Sequence, residues 1–326
     1  MSELLTSAVP PVSAPYKNRS GGLVAFGVLE LLFALGCLLL LALLVVGTRL
    51  QPTGMPPGYS PPNLTVASLF YLFLAVAFGW LGVGSILARR WACALSLACA
   101  WLWLVLGTVA GVFLFLALPR IFATLPEMPT SGARAAAMGC VAIVWVIFFL
   151  ILPLAFVLFY GSRNVRRTCE ARDTRPRWTD RCPLPVLALV VLSAVAVPLL
   201  ALSSLHPIIA AFGWILTGPP AAVAFLVLAA LEAVAAWGLY RLRPAAWWGL
   251  LALWLLGGIS SLLTFHRGID WEKYLRASGQ PDNPMVRQMT TGLFQDPLFI
   301  GAMTLVGVAC LGYMLWIRRY FVPRPT

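Results

Sequence analysis

Two carboxylates stand where an apolar chain rarely carries one. Glu30 lies in Val28-Leu29-Glu30-Leu31-Leu32 and Glu232 in Ala230-Leu231-Glu232-Ala233-Val234. An ionisable side chain inside a membrane span is costly and by default marks proton or ion handling. Each glutamate lies eight residues from one end of its apolar run, about 12 Å deep at roughly 1.5 Å of helix rise per residue. If both ends face the same side, the two share one depth. They read either as a proton- or cation-handling pair, or as two neutral acids bonded to a backbone or hydroxyl group of a neighbouring helix. The second reading is preferred: a transport path normally shows more than two polar groups, and no Lys or Arg lies mid-run as a counter-ion.

Other chemistry is thin. His206 and His266 are the only histidines and have no carboxylate at ligand spacing, so no zinc motif forms and no metal site is expected. Ser260 and His266 are six apart on one run and point to different faces, which removes an intramembrane serine protease. Of seven cysteines, Cys37, Cys93, Cys99, Cys140 and Cys310 fall in apolar runs and read as small packing residues. Cys169 and Cys182 fall on a basic loop expected to face the cytoplasm, where thiols stay reduced. There is no C-x-x-C, P-loop or dinucleotide fingerprint, so no cofactor is implied and no enzyme is expected.

The elements that must position these residues are membrane helices. Of 326 residues, 61% are apolar and 10% charged, against about 45–50% and about 25% in soluble domains. Eight runs approach the ~20 residues a membrane helix needs: Gly22–Val46, Val66–Ala88, Trp91–Leu118, Ala136–Tyr160, Val186–Leu205, Ala221–Tyr240, Ala245–Phe265 and Pro297–Ile317. Helix is required, because in hydrocarbon every backbone polar group must be paired within the segment. The fold class is therefore all-α and polytopic. Pro153 and Pro198 should kink their spans. The first run is too long for a cleaved signal peptide and reads as a retained anchor.

Charge gives direction. Sixteen of the 23 Lys and Arg fall on one side of the alternating spans, and the other side has the longer loops. The positive-inside rule then puts both termini in the cytoplasm. The net charge of +12 is thus explained by topology and anionic headgroups rather than by nucleic acid. The 161–182 loop is the best cytoplasmic docking surface for a membrane-protein partner, through Arg163, Arg166, Arg167, Arg172, Arg175, Arg177 and Arg181. Tryptophans near span ends form the expected aromatic belt.

The chain also repeats. Gly84-Ser85-Ile86-Leu87-Ala88-Arg89-Arg90-Trp91-Ala92 joins spans two and three, and Gly238-Leu239-Tyr240-Arg241-Leu242-Arg243-Pro244-Ala245-Ala246 joins spans six and seven. Two parallel four-helix halves follow, related by an axis along the membrane normal. The organisation is a tail (1–21), a first half (22–160), the arginine-rich loop (161–182), a second half (183–317) with an outward loop (266–296), and a tail (318–326). The second of these turns, with Arg177-Trp178-Thr179-Asp180-Arg181-Cys182-Pro183-Leu184-Pro185, resembles segments of uncharacterised bacterial multi-pass membrane proteins. That resemblance implies architecture and a bacterial inner membrane, and no activity travels with it.

Among the outward loops, residues 47–65 should be irregular, and Asn63-Leu64-Thr65 is a glycosylation sequon of no consequence in a bacterium. Residues 206–220 are too short to span and should lie at the interface or re-enter. Asn283-Pro284 is a good helix start, placing Met285 and Met289 on one face. The functional expectation is a non-catalytic accessory or interaction protein of the membrane. The alternative is a small-solute or proton-coupled transporter using Glu30 and Glu232.

Overall fold

A computed structural model describes residues 16–49, 64–123, 131–277, 292 and 296–322. Its helices are α1 (Ser20–Arg49), α2 (Leu64–Ile86), α3 (Arg90–Ala123), α4 (Ser131–Val146), α5 (Leu152–Tyr160), α6 (Arg163–Arg172), α7 (Leu184–Ser203), α8 (Pro219–Tyr240), α9 (Pro244–Arg267), α10 (Trp271–Ala277) and α11 (Pro297–Ile317). Among the described residues, eight stretches of helix are long and apolar enough to cross a membrane, and α4 and α5 together make the fourth. The expected eight spans and the polytopic helical class are therefore present. The sequon's Asn63, the helix start at Asn283-Pro284, and Met285 and Met289 lie outside the described residues.

These helices bury little of their surface against one another. Leu35, Leu39 and Leu43 on α1 are all about 60% exposed, a cost in water that vanishes when the surroundings are acyl chains. What holds the bundle is close approach and local polar bonding. A Cβ on Gly27 would lie 2.8 Å from the Gly82 carbonyl oxygen, and one on Gly82 would lie 2.7 Å from that of Gly27. Backbone thus meets backbone, and α1 and α2 form a tight hairpin. Proline starts α8, α9 and α11, where its missing N–H costs nothing, and Asp296 caps α11 by accepting from Leu298 N at 2.8 Å. Arg120 near the end of α3 pairs with the Asp296 carboxylate and donates to Gly292 O at 2.9 Å.

The interior seam lies where α2 and α3 meet the later helices: Leu81, Leu95 and Ala98 pack with Leu187, Leu239, Trp247 and Met314. Trp247 is only 1% exposed and donates its indole N–H to Met314 O at 2.9 Å. Both basic turns close in the same way. Ala88 N bonds to Ser85 O and Arg89 N to Gly84 O; Leu242 N bonds to Leu239 O and Arg243 N to Gly238 O, all at 2.9 Å. Ala88 and Leu242 sit in the left-handed region at φ 51° and 53°, the geometry of a Schellman stop.

The structure adds three details to the expected helices. The kink expected at Pro153 takes the form of a π-helical turn at Ile147–Ile151. Pro153 cannot bond to Phe149 O, and widening the preceding turn relieves its ring. The fold is not purely helical either: Ile208–Ala211 (β1) and Trp214–Thr217 (β2) form an antiparallel hairpin in the 206–220 segment. Its tip has positive φ at Phe212 and Gly213, as a type I′ turn demands. The tip is held by the end of α9: Phe212 N donates to Ser260 Oγ and Gly213 N to Thr264 Oγ1, both at 3.0 Å, and Arg267 Nη1 donates to Phe212 O at 2.9 Å. Finally, the 161–182 segment is folded, as α6 followed by a 3₁₀ turn at Trp178–Arg181.

Candidate functional site

Three neighbouring helices bring hydroxyls to Glu30 on α1. Its Oε1 accepts from Ser96 Oγ on α3 at 2.7 Å and from Tyr160 OH on α5 at 3.4 Å. Tyr160 OH also lies 2.9 Å from Ser85 Oγ on α2. Glu30 is 2% exposed, Ser85 is fully buried, and Glu30 Oε2 is buried without a partner. The phenol has one proton, so it donates either to Glu30 or to Ser85, and Ser85 can return its own proton to the phenol oxygen. The result is a short hydroxyl relay ending on one carboxyl group.

The partners of Glu30 come from helix ends. α1 begins at Ser20, earlier than the apolar run, and helical side chains lean toward the N-terminus. The partners sit at span ends: Tyr160 is the last residue of α5 and Ser85 the second-last of α2. Glu30 therefore lies level with the ends of α2 and α5.

α6 is the roof. Ser162 caps it by accepting from Val165 N at 3.4 Å. Val165, Thr168 and Cys169 turn inward and are at most 2% exposed, and Thr168 Oγ1 accepts from Arg19 N at the start of α1 at 3.1 Å. Cys169 is joined to Cys93 on α3 by a disulfide. This corrects two expectations, Cys169 as a reduced thiol and Cys93 as a small packing residue; the packing of α6 over α3 brings together residues that are 76 apart in sequence. Cys182 remains a thiol, and burial pushes it up to about 11, far from a nucleophile's range.

Behind α6, Asp173 accepts a bidentate pair from Arg177, Nε at 2.9 Å and Nη2 at 3.0 Å. It also accepts from Arg90 N at 3.3 Å, satisfying an orphan N–H at the start of α3. The Arg177 guanidinium holds the Asp173 carboxyl below the usual carboxylate range. Asp180 accepts from Arg177 N at 2.8 Å and from Arg90 Nη1 at 3.4 Å. Of the seven arginines singled out for docking, Arg177 is thus a structural clamp. Arg166 pairs with Glu170 at 2.9 Å, while Arg163, Arg166, Arg167, Arg172, Arg175 and Arg181 are exposed.

Glu232 shares none of these partners. It lies on α8, half-buried, with Oε2 buried and unpaired. His206 and His266 are exposed on the hairpin side, and Ser260 is occupied by the hairpin tip rather than by a base. Among the described residues no cluster of three or more His, Cys, Asp or Glu side chains is placed to hold a metal ion. Sequence reasoning found Glu30 by its charge and missed Ser85, Ser96 and Tyr160. The available signal was position: Ser85 and Ser96 flank one short turn, and an aromatic hydroxyl ends the fourth span. Comparison with family models, curated proteins and solved structures finds no match for this chain.

Proposed function

We propose that this chain is a non-catalytic accessory or interaction protein of the bacterial cytoplasmic membrane, with both termini in the cytoplasm and two parallel four-helix halves. The observation that carries the reading is the state of Glu30. Its carboxyl group is buried and lies among hydroxyls from three neighbouring helices, as a carboxyl group that fastens helices together would be. Glu232, the only other glutamate expected inside a span, is on another helix with different surroundings. The halves are supported by the two identical Schellman turns, whose Gly84, Ala88 and Ala92 stand at one constant offset from Gly238, Leu242 and Ala246. The partner surface is the folded basic roof, with its exposed arginines and its anchored clamp.

Purification in mild detergent followed by mass spectrometry tests this reading. A stoichiometric membrane-protein partner that is lost when Arg163, Arg172 and Arg175 are changed to Gln is the expected result. A partner-free chain that carries proton-linked flux abolished by Glu30→Gln would sink it. That second outcome belongs to the transporter reading, which one observation favours: a buried oxygen on each glutamate has no hydrogen-bond partner.

A further inference from the structure

α7 and α8 leave a lipid-facing slot of about 610 Å³ between them. Val190 and Ala194 form one wall, Ala233 and Ala236 the other, and Trp178 and Tyr240 close one end. The slot exists because alanines face the gap, where larger side chains would fill it. From Ala233 to Tyr240 it runs two helical turns, about 10 Å. Its closed end coincides with the end of α8, and Tyr240 OH donates there to Trp178 O at 3.4 Å.

The charge at that end is one-sided in what it offers. Arg241 follows α8, is exposed, and holds its guanidinium carbon 4.6 Å from the centroid of the Trp237 ring, which also lines the slot. Asp180, near Trp178 in sequence, is already engaged by Arg90 and by the backbone of Arg177. Asp173 is engaged by the Arg177 side chain. Arg241 has no carboxylate partner among the described ion pairs.

We propose that this slot binds one acyl chain of an anionic phospholipid, with the headgroup phosphate on Arg241 and the aromatic end at the glycerol level. Length and closure select the lipid over a partner helix. A helix about 10 Å across needs an open face along the whole span, whereas the slot is short and shut by Trp178 at the membrane boundary. A lipid has its apolar chain and its charge in that order, and aromatic rings beside arginine suit the interface. The site is separate from the Glu30 relay and does not depend on the accessory reading.

Native mass spectrometry of the full chain in mild detergent tests it, with phosphatidylglycerol and phosphatidylcholine offered in turn. The expected result is retention of one phosphatidylglycerol roughly tenfold better than phosphatidylcholine, a factor of ten in affinity. Arg241→Gln should erase that preference, and Ala194→Phe, which fills the slot, should abolish retention of either lipid. Val223→Phe, on the exposed outer surface of α8, should leave both unchanged and report on folding. Equal retention of the two lipids by the unaltered chain would overturn the proposal. So would unchanged retention in Ala194→Phe, displacement of the lipid by inorganic phosphate alone, or a co-purified peptide seated in the slot.

Discussion

At the scale of single residues, the two glutamates differ although the sequence presents them as equals. Glu30 Oε1 accepts from Ser96 and lies within reach of the Tyr160 phenol, which Ser85 shares, and removing either hydroxyl leaves a buried polar group short of a bond. Ser96→Ala and Tyr160→Phe should each destabilise the chain by about 1–3 kcal/mol, read as a lowered unfolding midpoint in detergent. Glu232 has a buried oxygen with no partner, so Glu232→Leu should be neutral or stabilising in the same assay. A loss at Glu232 equal to that at Glu30 would show that the two act alike. Charge made both residues visible in the sequence. The hydroxyls that distinguish them are uncharged and common in spans, so only the position of Ser85, Ser96 and Tyr160 near span ends marked them.

At the scale of elements, α6 was legible only as a run of arginines. The structure folds it into a roof tied by Thr168, the Cys93–Cys169 bond and Asp173. The Asp173 carboxyl is held low by Arg177, so its contribution is complete above the ordinary carboxylate value of about 3.9 and is lost as pH falls through the depressed folded value. Hydrogen-exchange protection across residues 163–181, measured against the intrinsic rate at each pH, should accordingly hold from neutral pH to about pH 4 and fall only below it. Asp173→Asn should be less protected than the unaltered chain above the acid step, converge with it below, and show no step of its own. The disulfide has its own measurement. Alkylation in denaturant should count the five free cysteines in chain purified in air and all seven after reduction. A roof facing a reducing cytoplasm should also give seven when cells are alkylated directly. Five there would place the roof in an oxidising compartment. The β1–β2 hairpin is a second element hidden from the sequence: an apolar stretch of this length reads as interfacial, and the backbone pairing together with Ser260, Thr264 and Arg267 of α9 fixes its shape.

At the scale of the molecule, the arginine asymmetry predicts which side each end occupies. In whole cells, Arg175→Cys should react with a membrane-impermeant maleimide only after permeabilisation, and His206→Cys should react without it. The reverse pattern would invert the topology and move the roof outside. What the amino-acid sequence determined alone is the set of spans and the sidedness it predicts. Hydrocarbon forces every backbone group to be paired within its own segment, and basic residues bias loop placement; both are local properties of composition. What only the tertiary structure decided is which side chains meet. The Glu30 relay joins residues from α1, α2, α3 and α5, the disulfide joins Cys93 to Cys169, and the slot appears only where α7 lies against α8. Such contacts between distant residues depend on helix rotation and close approach. In lipid that rotation is not set by an apolar face, because every face is apolar; it is set by the packing of small residues and by polar bonds between helices.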